Sequence, residues 1–310
     1  MPDLSIIIVS WNVKDLLDEC LASVFANTDN LDLEVFVSDN LSSDGTPEMV
    51  KQKYPQVHYI QNEGNIGFTK ANNRALVKAN GKYIFYLNPD TIIQPHALSR
   101  MVKFMEEHAD CGALGPRLLN PDGTLQLSCR TFPTLGTQLY TTFFLDAIFP
   151  KSKLFGKYMM SYWKHDELRE VDQPMGSALL VRKEILDRIG AFDENIIFWY
   201  DEVDLCCRIK KAGLPAMLRK AKQAGWKIYF IPNAEIIHYG GQGFGQWKGL
   251  GPALRGAYIW RKSRNYFFKK HYGFWQVPIL IFLDILQLAI VLGLLYLIVK
   301  LIWAAINLVL

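Results

Sequence analysis

The sequence predicts an α/β fold with a mostly parallel sheet, joined to a membrane-associated carboxyl-terminal tail. Three observations predict it. Short Ile- and Val-rich runs alternate with helical periodicities between residues 4 and 87, the runs are too short for helices yet continuously apolar, and residues 277–310 are almost wholly apolar. Continuously apolar strands are buried on both faces, as in parallel sheets covered by right-handed crossover helices.

In chain order, residues 4–10 suit a strand and residues 16–25, apolar at helical spacing, a helix. A strand over 33–38, a helix over 46–54, a strand over 57–61, a helix over 69–79 and a strand over 82–87 continue the alternation. Later, a helix runs through Leu205, Ile209 and Ala212, and residues 227–231 read as another strand. Between 132 and 170 many aromatic residues stand with little regular period; they suit stacking on a bound ligand, contact with lipid or burial in a local core. The repeated Lys-x-Ala-Gly wording around Gly213 and Gly225 suggests an insertion over 214–225.

A bilayer core is about 30 Å thick and takes about 20 apolar residues in helix. Residues 285–299 and their flanks supply one such span, with Gln287 as the main polar interruption. Residues 236–283 hold no Asp or Glu but carry Lys248, Arg255, Arg261, Lys262, Arg264, Lys269 and Lys270, so the cationic flank precedes the span. By the positive-inside bias the head stays in the cytoplasm. Tyr258, Trp260 and Tyr266 among those cations suit a helix lying in the headgroup plane. A buried core helix or an oligomer contact is the alternative, and the tail leaves room for a homo-oligomer. The expected division is therefore a catalytic-type domain over 1–240, a basic amphipathic segment over 241–276 and a membrane-embedded helix over 277–310.

Composition fits this layout. Residues 1–240 are enough for one large domain with a full core. The net charge of +4 sits largely in the juxtamembrane block, which argues against a nucleic-acid partner and for membrane lipids with anionic headgroups. Five cysteines without Cys-x-x-Cys spacing suggest neither a disulfide framework nor a zinc site, and a reducing compartment. The apolar run over residues 4–9 is too short for the core of a signal peptide.

Ligands of parallel sheets bind beyond the carboxyl ends of the strands. Four segments stand there. The first is Ser10-Trp11-Asn12, and the second is the loop from Asp39 through Asn40, Ser42 and Asp44 to Gly45. Asp39, ending a buried strand, suits a base N–H or a ribose hydroxyl, with an ordinary loop aspartate as the alternative; turn formation or helix capping alone would explain Ser42 and Asp44. The third, Asn65-Ile66-Gly67-Phe68, opens a helix where glycine lets backbone amides approach a phosphate. The fourth is Asn88-Pro89-Asp90-Thr91, whose carboxylate suits a divalent cation sharing diphosphate oxygens, or else the start of a helix. After the first strand the glycine fingerprint of a nicotinamide dehydrogenase is absent.

These segments, with Asn72 seven residues after Asn65 and the blocks Gly176–Arg182, Gly190–Glu194 and Tyr200–Arg208, resemble the GT-A fold glycosyltransferases of family 2. The resemblance covers most of the chain up to about residue 240, and the nearest look-alikes are rhamnosyltransferase-like members that extend bacterial polysaccharides on a polyprenyl-diphosphate carrier. It implies a GT-A domain, a nucleoside diphosphate sugar donor, a lipid-linked saccharide acceptor and a Mg²⁺ or Mn²⁺ ion. It also implies binding of the donor around Ser10, Trp11, Asn12, Asp39, Asn40, Ser42, Asp44, Asn65, Gly67, Asn72 and Asn88, with Asp90 and His238 at the metal. The expected location is the bacterial plasma membrane, catalytic domain facing the cytoplasm. Members commonly carry Glu-Asp where this chain has Asp201-Glu202. Aligned on Val203-Asp204-Leu205, Glu202 takes the place of the base that deprotonates the acceptor hydroxyl in an inverting transfer, with Asp201 as the other candidate. Acids in a helix's first turn are also favoured by its dipole, and a histidine at a strand end is often structural. A polyprenyl-phosphate hexosyltransferase and a noncatalytic nucleotide-binding membrane adaptor are the alternative readings.

Overall fold

The structure, a computed structural model, describes residues 1–212, 225–241 and 250–309. The predicted alternation is present from the start: β1 (Leu4–Ser10), α1 (Lys14–Ala26), β2 (Leu33–Asp39), α2 (Thr46–Lys53), β3 (His58–Gln61), α3 (Phe68–Leu76) and β4 (Tyr83–Leu87). There follow β5 (Thr91–Ile93), α4 (Ala97–Glu107), β6 (Cys111–Leu119), β7 (Leu125–Gln126), β8 (Cys129–Arg130), α5 (Leu135–Thr142) and α6 (Leu145–Ile148). The remainder is β9 (Arg169–Glu170), β10 (Gln173–Pro174), β11 (Ala178–Arg182), α7 (Lys183–Ile189), α8 (Asp201–Ala212), β12 (Lys227–His238), α9 (Leu250–Tyr272) and α10 (Gln276–Val309). The insertion read over 214–225 lies, but for Gly225, outside the described residues.

Two compact units divide the chain, one of Met1–Phe132 with Lys164–Arg264, the other of Pro133–Trp163 with Asn265–Leu310. The first is built on a sheet in the order β3-β2-β1-β4-β11-β6-β12-β5. The four strands from β3 to β4 are parallel, β11 runs antiparallel between β4 and β6, and β12 is parallel to β6. Every residue of β1 is buried, as its uninterrupted apolar run requires. Ile6 and Ile8 point into one core with Val35, Val37 and Phe85, closed by Leu17 and Leu21 of α1 and Met101 and Met105 of α4. The chain passes from β1 outward to β2 and β3, then returns to the other side of β1 as β4. That reversal marks the place, beyond Ser10, Asp39 and Leu87, where an open sheet binds ligands.

Two expectations change in detail. Asp90 and Thr91 do not start a helix: Thr91 begins β5, which pairs with β12 through Thr91–His238, and α4 starts only at Ala97. The strand expected over 227–231 continues to His238, because Pro232, lacking an N–H, falls in a register shift between Ile231 and Glu235 and pairing with β6 then resumes.

In the second unit α5, α6 and a 3-10 turn at Phe155–Lys157 form a short helical excursion. Tyr140 meets the Phe155 ring edge-on at 5.2 Å and Phe149 lies 5.7 Å from it, a small aromatic core of their own. Gln287 of α10 donates from Nε2 to the Thr141 carbonyl at 3.3 Å, so the polar interruption of the apolar helix is spent on the end of α5. Residues 276–303 of α10 are long and apolar enough to cross a membrane, and the qualifying window is not buried at all.

Candidate active site

The first strand end is tied to the second by a short polar network. Asp39 is fully buried; its Oδ2 accepts from the Ser42 amide at 2.8 Å and its Oδ1 from the Ser42 hydroxyl at 2.6 Å. The Asn12 amide donates to Ser42 Oγ at 2.8 Å, and Asn12 Oδ1 accepts from the Ser43 amide at 2.7 Å. Asp44 holds the next turn, accepting from Lys14 and Thr46 amides, and so closes the loop onto the starts of α1 and α2. Asn40 donates to Asn65 Oδ1, which also accepts from the Gly67 amide, and Gly67 stands at φ +89°, a conformation that favours glycine, where α3 begins. Trp11 is half-buried beside them. Asn72 is different: it is buried inside α3 and its Nδ2 donates to Phe68 of its own helix.

At the end of β4, the Asn88 amide donates to the Ser177 carbonyl at 2.9 Å, and Cys20 and Thr91 both hydrogen-bond the Asn88 carbonyl. Asp90 and His238, 6% and 7% exposed, face one another with Oδ1 and Nε2 3.4 Å apart. The pairing of β5 with β12 makes this meeting of distant residues, and Tyr239 N–H donates to the Asp90 carbonyl just beyond it. His238 Nδ1 lies 2.6 Å from Gln126 Oε1.

The acidic pair stands at the same edge. Asp201 and Glu202 open α8, preceded by Trp199 and Tyr200 at φ +54° and +62°, two bulky residues in the left-handed region. Backbone held there is strained and is characteristic of functional turns. A Cβ added to Gly176 would lie 3.2 Å from the Glu202 Cβ, so the backbone beside Ser177 runs close to the acid and a side chain there would crowd it. Since Ser177 holds Asn88, Glu202 is brought to the carboxyl end of β4, next to the turn that carries Asp90.

Burial raises the pKa of both acids. For Asp201, which is 5% exposed, the neighbouring Glu202 charge raises it further; for Glu202 the Arg130 charge and amides including that of Gly176 act the other way. Both acids are therefore held above the ordinary carboxylate range, and at Glu202 the Arg130 charge opposes that rise. Asp204 faces elsewhere: fully buried, it pairs with Arg208 at 2.7 Å, and Arg208 also donates to the carbonyls of Ile189, Gly190 and Ala191.

The described residues contain no group of three or more His, Cys, Asp or Glu side chains able to hold a metal. Asp90 and His238 fit a Mg²⁺ or Mn²⁺ that keeps waters and takes its remaining ligands from a bound diphosphate. The buried hydroxyls of Ser10 and Ser177, at this same edge, have no hydrogen-bond partner, as polar groups reserved for a ligand would. Gln126 and Arg130 lie outside every motif read from the sequence, and Ser177 lies inside the Gly176–Arg182 block without a role of its own. Their roles arise from pairing across the fold, and a lone Gln in a two-residue strand carries no local signal.

Known proteins share this chain's family and fold. The Glycosyl transferase family 2 profile matches residues 5–165. The N-acetylglucosaminyl-diphospho-decaprenol L-rhamnosyltransferase of Mycobacterium tuberculosis is 27% identical over 290 residues, covering 89% of this chain and 87% of that protein. Rhamnosyltransferase WbbL of Escherichia coli is 27% identical over 247 residues, 76% of this chain and 82% of its own length. Among solved structures, the mannosyltransferase PcManGT of Pyrobaculum calidifontis, in complex with GDP-Man and Mn²⁺, superposes with a TM-score of 0.53 at 16% identity, covering 97% of this chain and 80% of that one. GalNAc-T7 with UDP, GalNAc and Mn²⁺ gives 0.56 at 15%, covering 93% and 55%. The fold is GT-A, and this chain belongs to glycosyl transferase family 2.

Proposed function

We propose that this glycosyltransferase moves a rhamnose-type sugar, with inversion, from a nucleoside diphosphate donor to a saccharide carried on a polyprenyl diphosphate, in polysaccharide synthesis at the cytoplasmic face of a bacterial membrane. The observation that carries the reading is the contact of Glu202 with Gly176, one residue from the Ser177 carbonyl that fixes Asn88: a carboxylate of raised pKa stands beside the Asp90 turn. The relatives' names supply the sugar and the carrier class.

Glu202 takes the proton from the acceptor hydroxyl as that oxygen bonds to the anomeric carbon. The bond from that carbon to the diphosphate oxygen breaks on the opposite face, and the nucleoside diphosphate leaves with the electron pair. Asp90 and His238 would hold a divalent cation that offsets charge on the leaving diphosphate, so no protein acid has to protonate it. Ser10, Trp11, Asn12, Asp39, Asn40, Ser42, Asp44, Asn65, Gly67 and Asn88 bind and orient the nucleotide end of the donor, while Asn72 supports α3 from within.

The test is a panel of nucleotide sugars with Mn²⁺ or Mg²⁺ and two acceptors, a polyprenyl-diphosphate-linked N-acetylglucosamine and a polyprenyl monophosphate. Metal-dependent transfer of a deoxyhexose to the diphosphate-linked acceptor is expected. Transfer to the monophosphate alone would make it a polyprenyl-phosphate hexosyltransferase, and nucleotide binding without transfer would make it an adaptor.

A further inference from the structure

The hydrogen bonds behind His238 decide which of its nitrogens bears the proton. Gln126 Nε2 lies 3.1 Å from the His238 carbonyl and 3.0 Å from Asn120 Oδ1. A carbonyl only accepts, so this end of the Gln126 side chain must be its NH₂ group, and the end facing His238 Nδ1 at 2.6 Å must be the oxygen. Asn120 is oriented by the same logic, because its Nδ2 reaches the Leu125 carbonyl at 3.4 Å and Thr124 Oγ1 at 2.9 Å. Asn120 sits in the turn between β6 and β7, where its own amide donates to Thr124 O and Gly123 N–H donates back to its carbonyl. Two main-chain carbonyls thus anchor a relay from Leu125 through Asn120 and Gln126 to His238. Nδ1 must donate to Gln126, which leaves the Nε2 lone pair of the neutral ring aimed at Asp90 Oδ1, 3.4 Å away. The space between that nitrogen and the carboxylate takes a cation, the Nε2 proton of an imidazolium or, on the neutral ring, a metal ion.

We propose that Gln126, held by Asn120, is a positioning residue that fixes the Nδ1–H form of His238 and so presents Nε2 to a divalent cation shared with Asp90. This rests on reading Asp90 and His238 as a metal pair. A ligating imidazole is commonly oriented through its other nitrogen, and removal of that partner weakens metal binding about 10- to 100-fold. Gln126 touches neither donor nor acceptor in this role and acts only through the ring.

The test reads the ring directly. The full-length protein in detergent, stripped of metal and labelled with ¹⁵N-histidine, is examined by two-bond ¹H–¹⁵N correlation at alkaline pH, where imidazoles are neutral. His238→Ala identifies the signal. Wild type is expected in the Nδ1–H form; Gln126→Leu should revert to Nε2–H, the form favoured by imidazole in water. Gln126→Met, of similar length and without the acceptor, should revert likewise, and a cooperative thermal melt of each variant guards against a failure to fold. Mn²⁺ alone, titrated by the EPR signal of the free ion, should bind about tenfold or more weakly to Gln126→Leu. An Nε2–H ring in the wild type, or an unchanged ring in Gln126→Leu, overturns the proposal. A switched ring with unchanged Mn²⁺ affinity overturns its delivery step and the metal assignment of His238 together.

Discussion

At the scale of single residues, the two acids opening α8 differ in environment. Asp201 is buried against Glu202, whereas Glu202 has Arg130 and the Gly176 amide to stabilise its charge. Glu202→Gln is expected to lower kcat by about 10²-fold or more with donor affinity little changed, since a positioned base contributes 10²–10⁴-fold. Asp201→Asn should cost far less; the reverse ranking in steady-state kinetics would move the base to Asp201. Because a base works deprotonated and burial raises the Glu202 pKa, the acid limb of kcat/KM should lie above the ordinary carboxylate range, activity falling as pH drops through it. Arg130 lowers that pKa, so Arg130→Met should move the limb to higher pH, and a limb left in place would dissociate Arg130 from the base. Gly176→Ala tests the contact itself. Its Cβ would press on Glu202 Cβ at 3.2 Å, and displacing a catalytic group by a fraction of an ångström should cost roughly 10- to 100-fold in kcat without a matching change in donor KM.

At the scale of elements, what could be read from the sequence was whatever repeats or runs. The seven residues of β1 are all buried and announce themselves by composition, and α1 by its periodicity. The three residues of β5 have no such signature: only pairing with β12, far along the chain, makes them a strand and brings Asp90 to His238. The same limit hid Gln126, whose partner His238 is 112 positions away. The acids of α8 were visible as a block, but the glycine that admits Glu202 and the strained turn at Trp199 and Tyr200 belong to tertiary structure. What holds α8 in place is the Arg208 clamp on the carbonyls ending α7, with Asp204 fully buried beneath it. Arg208→Met should lower unfolding stability by about 3 kcal/mol, because it removes the cation paired with a buried carboxylate. Asp204→Asn added to it should recover part of that loss in thermal melts, and an absence of recovery would assign the clamp to the carbonyls alone.

At the scale of the whole molecule, the question is whether α10 enters a bilayer. α10 runs from Gln276 to Val309, about 50 Å at 1.5 Å per residue, which exceeds a hydrocarbon core of about 30 Å. Its uncharged stretch is shorter: Asp284 and Lys300 bound residues 285–299, roughly 22 Å of helix. A span centred there must let Lys300 reach outward to the far interface along its own alkyl stem, leaving the Tyr296 ring over which its ammonium lies at 5.4 Å. On the near side Gln287 is already bonded to Thr141, and Leu280 and Leu283 are buried, so the first turns of the helix rest against protein within their own unit. From residue 291 to 303 every side chain is exposed, an arrangement unsuited to water and suited to lipid. On α9, Ile259, Ser263 and Phe267 form a buried stripe while Arg255, Lys262, Lys269 and Lys270 are exposed, a division suited to anionic headgroups. The expected result is that the chain sediments with membranes, stays there through high salt and alkaline carbonate, and is released by detergent. Release by salt would mean that only the charged face holds it, and release by carbonate that α10 lies in the membrane plane. Recovery of the intact chain in the soluble fraction without detergent would mean that the exposed apolar face of α10 is covered by protein, as in an oligomer, and would remove the bilayer from the account of how this enzyme finds its acceptor.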